Sequence, residues 1–116
     1  MALTKNFRKT IYERAKRDPA YREAMLSEAI YSLLCGEVEV GKAILRDYIN
    51  ATIGFETLGE KLNKPSKSLH RMLSPAGNPK TNNFFEILNF LQNNEGVDFT
   101  VIARHHQRYD LHNSVS

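Results

Sequence analysis

The sequence predicts an all-α protein of about six helices, closed by one short strand near the C-terminus. Three observations predict it. Apolar residues recur at three- and four-residue spacing through most of the chain. Asp18-Pro19, Gly36 and Gly96 punctuate that pattern where helices start and stop. Two short amphipathic segments, Phe55–Leu62 and Ser66–Leu73, flank a tight break at Asn63-Lys64-Pro65, which is the pattern of a helix-turn-helix.

Composition sets the class. The chain has 116 residues, 41% of them hydrophobic and 25% charged, with no Trp. That is ordinary for a water-soluble globular protein, most simply one domain with some terminal extension. No run approaches the ~18 apolar residues of a membrane span, and the N-terminus lacks the apolar core of a secretory signal. Cys35 stands alone and has no internal disulfide partner. A reducing cytoplasm fits this, and no membrane association is expected.

The elements follow in order. Thr4 is a candidate N-cap for a first helix through Arg17, whose stripe of Phe7 and Ile11 is narrow and whose remainder is crowded with Lys and Arg. A phosphate-contacting or partner-facing arm and a solvated helix both fit that crowding. Asp18 then caps a second helix with proline in its first turn. It runs to Cys35, with Tyr21, Met25, Leu26, Ile30, Leu33 and Leu34 on a broad apolar face, and Cys35 reads as a small core hydrophobe beside it. The third helix opens at Glu37 with acid at its positive end and carries Val40, Ile44, Leu45, Tyr48 and Ile49.

In the helical pair, Leu58 and Leu62 share one face, and Leu69, Met72 and Leu73 another. Gly59 leaves room for the second helix to come close. Asn63 suits a left-handed stop, Pro65 ends the first helix, and Ser66 suits the N-cap of the second. Lys64 departs from the pattern, since such pairs usually bury an apolar residue just after the turn.

Ser74 to Asn83 reads as a loop, with Thr81 or Asn82 capping a last helix from Phe84 to about Asn94. Phe84, Ile87, Leu88 and Leu91 line one face of it. Phe85 and Phe90 fall off that stripe and suggest a second contact. Val97 to Val101 alternates apolar and polar as a half-buried strand does. A lone strand leaves its backbone unpaired, so a second subunit or a partner strand is expected there. The divisions are then an N-terminal helical extension at 1–36, the helix-turn-helix unit with its strand at 37–102, and a flexible tail at 103–116.

Charge is unevenly placed. The net charge is only +3, yet from Lys61 to Phe85 there is no Asp or Glu, while Lys61, Lys64, Lys67, Arg71 and Lys80 all fall there. A phosphate-facing surface needs that imbalance. On the second motif helix Lys67, Ser68, His70 and Arg71 point outward, with Ser66 at its start. All can donate hydrogen bonds, and Arg can reach a guanine edge with both arms. The polar loop and the following helix start, with Asn78, Lys80 and Asn82, offer a phosphate anchor. A helical hairpin with a solvated basic face would show the same spacing.

Chemistry for catalysis is not evident. There is no Gly-rich phosphate loop, no Cys pair for zinc and no nucleophile elbow. His105, His106 and His112 have only Asp110 as a nearby carboxylate, so neither a metal nor another cofactor is expected. RNA binding lacks an evident aromatic stacking platform.

Two stretches carry a family resemblance: Gly41 to Leu62, GKAILRDYINATIGFETLGEKL, and Pro65 to Lys80, PSKSLHRMLSPAGNPK. Together with the element order they resemble the antidote proteins of bacterial addiction modules. These are the HigA-like antitoxins, described more broadly as lambda-repressor-like transcriptional regulators. The likeness spans roughly residues 4 to 101. It implies a lambda-repressor-like fold, a homodimer on double-stranded operator DNA, repression of the module's own promoter, and neutralisation of a small ribonuclease toxin. On this chain the DNA-reading positions would be Ser66, Lys67, Ser68, His70 and Arg71, with phosphate anchoring at Asn78, Lys80 and Asn82. No toxin-binding residue follows from the motif. A protein-interaction module that holds a toxin, with little specific DNA binding, is the rival reading.

Overall fold

The structure, a computed structural model, describes residues 5–106. Six helices follow one another: α1 Lys5–Arg17, α2 Pro19–Leu34, α3 Val38–Ala51, α4 Phe55–Leu62, α5 Ser66–Met72 and α6 Thr81–Glu95. The described residues are thus all-α. None of these helices is long and apolar enough to cross a membrane.

One core joins them. Ala15 comes from α1, Leu26 and Ala29 from α2, Leu45, Tyr48 and Ile49 from α3. Phe55 and Leu58 come from α4, Leu69 from α5, and Ile87 and Leu91 from α6. Helices as short as α4 and α5 are marginal alone, so their stability comes from this shared burial.

The α1–α2 junction forms as the Asp18-Pro19 signal implies. The Asp18 carboxylate accepts from the Tyr21 N–H at 3.2 Å, and proline occupies the first turn. A polar cluster then ties four helices at one end. Arg22 Nε on α2 donates to both Glu95 oxygens at 3.0 Å, and its Nη1 donates to the Ala15 carbonyl at 2.8 Å. The Tyr48 hydroxyl on α3 donates to the same Glu95 carboxylate. Burial, then the Glu95 hydrogen bond and charge, push the Tyr48 phenol well above its ordinary range.

Several expectations are corrected. No strand occurs at 97–101 among the described residues. Its alternation holds only as far as Thr100 and serves packing: Val97 and Phe99 are half-buried, Asp98 and Thr100 exposed, but Val101 is exposed as well. The Phe99 N–H donates to Gln92 Oε1 at 3.1 Å instead of to a strand.

Thr81 and Asn82 are not caps. They lie inside the first turn of α6, and Lys80 holds the cap position without a side-chain bond. Ser66 likewise begins α5 and Pro65 takes the cap position, because its extended backbone already turns the chain into the helix. Cys35 is exposed rather than core, since it follows Tyr31 by one helical turn on the outer side of α2, where Tyr31 is exposed too. Phe7, Leu34 and Val40, expected on apolar faces, are exposed too. The first residues and most of the expected tail, residues 1–4 and 107–116, lie outside the described residues.

Candidate nucleic-acid interface

The α4–α5 pair is built on two close approaches. The first is at Gly59. A Cβ there would stand 2.6 Å from the Lys64 carbonyl oxygen and 3.3 Å from the Ser66 nitrogen. Only glycine lets the turn fold back this tightly. Asn63 completes the reversal in the left-handed conformation, at φ 58° and ψ 46°, and the Lys64 N–H donates to the Gly59 carbonyl at 2.9 Å.

The second close approach is at Gly77, where a Cβ would lie 1.9 Å from the Arg71 carbonyl oxygen. The chain leaving α5 therefore folds directly beneath that helix's C-terminal end. Two cations from α3 hold it there. Lys42 is 2% exposed, and its ammonium donates to the Ser74 and Gly77 carbonyls at 2.9 Å each. It also pairs with Glu39 at 3.1 Å. One turn along, Arg46 donates to the Leu73 carbonyl. Both charges sit at the negative end of α5, where the last carbonyls need donors.

The sequence reading missed Lys42 and Arg46 as positioning residues. A signal existed: Lys42 shares a helical face with Leu45 and Ile49, and a lysine on an apolar stripe requires internal acceptors.

With Leu69 and Leu73 buried, α5 turns Lys67, His70 and Arg71 outward. Lys67 and Arg71 are four residues apart and share one face. Neither makes an ion pair among the described residues. His70 is exposed but stacked on Phe55 with ring centroids 4.1 Å apart. Ser66 and Ser68 are half-buried.

The window free of acid in sequence is not free of acid in space. The Ser66 hydroxyl donates to Glu56 at 3.2 Å, and half-buried Lys64 pairs with Glu86 at 3.3 Å. Lys64 thus occupies its unusual position by bridging the turn to α6. Asn78, Lys80 and Asn82 are not brought onto α5 by any bond of their own. Lys80 and Asn82 stand exposed at the start of α6, whose first turn carries no acid.

The arrangement leaves Lys67, Arg71 and Lys61 as exposed cations, with Arg71 able to give paired hydrogen bonds to a planar acceptor edge. Among the described residues no group of His, Cys, Asp and Glu could hold a metal ion. No family model, curated protein or solved structure matches the chain.

Proposed function

We propose that this chain is a helix-turn-helix transcriptional regulator that binds operator DNA sequence-specifically as a homodimer. In this reading α5 is the recognition helix. Arg71 reads a base edge, Lys67 with Ser66, Ser68 and His70 completes the contact surface, and Asn78, Lys80 and Asn82 anchor phosphates. The observation that carries the reading is the exposed Lys67–Arg71 face, without an ion pair, on a helix clamped from behind by Lys42 and Arg46. A rigidly held cationic helix face is what groove recognition requires.

Lambda-repressor-like topology and the antitoxin role, with autorepression in a cytoplasm, rest on the family resemblance of the two quoted stretches. The test is binding to duplex DNA from immediately upstream of the chain's own gene, against random duplex, at two salt concentrations. Tight binding with a large preference for the upstream duplex is expected. Weak binding that ignores sequence and vanishes with salt would sink the regulator reading.

The second reading, a module whose main task is to hold a toxin protein, is favoured by one feature. Leu34, Val38 and Phe85 are exposed together around an apolar groove.

A further inference from the structure

That groove lies between the end of α2, the start of α3 and the first turns of α6, and its volume is about 430 Å³. Ile30, Leu33, Leu34, Val38, Phe84 and Phe85 line it. Leu34 is 68% exposed and Phe85 59%. A concave surface does not fill its own copy when two molecules meet face to face. It needs a projecting apolar element.

The same chain carries one. After Phe99, pinned to α6 through Gln92, residues 100–106 are all exposed. Val101 and Ile102 at the start of this arm are 74% and 79% exposed. Leu34, Val38 and Phe85 at the groove and Val101 and Ile102 on the arm make up most of the exposed large apolar side chains.

Charge matches as well. The arm continues into Arg104, His105 and His106, while Glu39, exposed though paired with the buried Lys42, lines the groove and Glu37 stands exposed two residues before it. On the α3 side of the groove the exposed charges, Glu37 and Glu39, are acidic, and the arm is basic.

The geometry points to reciprocal arm exchange between two copies of this chain: Val101 and Ile102 of one copy fill the Leu34–Val38–Phe85 groove of the other, with Arg104 against the Glu37–Glu39 flank. Each copy gives one arm and takes one, so the contact closes as a twofold dimer and does not propagate. The inference rests on the homodimer part of the proposed function and is independent of DNA binding.

Cys35 is exposed directly after Leu34 and serves as a native probe of the groove. In the full chain, Ala103→Cys oxidised with diamide is expected to give a covalent dimer joined between Cys35 of one copy and the introduced thiol of the other. Wild type and the double variant Cys35→Ser/Ala103→Cys should not reach that yield. In sedimentation, Ile102→Glu should raise the dimer Kd more than about tenfold, because a carboxylate does not enter an apolar groove unpaired. Its thermal melt as a monomer should be unchanged, since Ile102 makes no core contact.

An intramolecular bond between Cys35 and the introduced thiol would place the arm in its own groove and overturn the exchange. Equal cross-linking without Cys35 would overturn it in favour of arm-to-arm contact. A wild-type dimer indifferent to Ile102→Glu removes the arm but leaves the homodimer standing. A monomeric wild type removes both, and operator binding, measured separately, then decides the rest.

Discussion

Lys42 Nζ on α3 reaches 2.9 Å to the carbonyl oxygen of Gly77, across to the chain that follows α5. A buried ammonium has no water to fall back on, so its donors must be met by the protein. Here they are met by the Ser74 and Gly77 carbonyls, in the chain just after the helix that carries Lys67 and Arg71, and by the Glu39 carboxylate. The position of the candidate recognition surface is therefore set by a residue that does not belong to it.

Lys42→Met keeps the stem and removes the charge. It should destabilise the fold by roughly 1–3 kcal/mol for each carbonyl left without a donor or water. It should also weaken operator binding, although Lys42 lies away from the exposed face. Denaturant melts beside DNA titrations check this. Unchanged stability would mean that water replaces the ammonium and the clamp is dispensable.

Gly77→Ala places a methyl within 1.9 Å of the Arg71 carbonyl, which is backbone and cannot swing aside. A cost of about 1–3 kcal/mol is expected from the forced shift. Amide exchange should quicken first in α5 and the 74–80 loop. Protection equal to wild type there would contradict the close packing of loop and helix.

Tyr48→Phe removes a donor from the Glu95 carboxylate and leaves Arg22 as its charged partner. A loss of about 1.5–3 kcal/mol is expected for a hydrogen bond to a charged group. The pH dependence has a definite sign. The folded phenol is raised above its unfolded value, so its contribution is full below pH ~10 and fades as pH rises further. Wild-type stability should therefore fall on the alkaline side with a limb that Tyr48→Phe flattens. Parallel alkaline limbs would show that Tyr48 does not carry it.

Arg71→Ala and Lys67→Ala should separate base reading from charge. Both residues are exposed, so stability should hardly move. Arg71→Ala should cost roughly 1–3 kcal/mol of operator binding and relax specificity at one base position. Lys67→Ala should weaken all sequences alike and lower the salt slope by about one. Equal losses on operator and random duplex for both variants would remove base reading from this face.

Local chemistry along the chain sets where most of the helices lie and how the α4–α5 turn is made. That chemistry is the cap at Asp18, the left-handed Asn63, the missing side chain at Gly59 and the 3.6-residue period of the apolar stripes. The outward face of Lys67, His70 and Arg71 followed from the same period once Leu69 and Leu73 were assigned inward. What holds that face comes from packing between separate elements. The Lys42–Gly77 and Lys42–Ser74 bonds join α3 to the chain beyond α5, and the Lys64–Glu86 and Arg22–Glu95 pairs also join separate elements. A charge count along the chain cannot see an acid brought in from another element, so the acid-free window dissolved once Glu56 and Glu86 folded beside it. The alternation at 97–101 was legible too, but alternation marks only an in-and-out pattern. Whether its inward side chains meet a neighbouring strand or the flank of α6 depends on what stands opposite, and that is a property of the packed molecule.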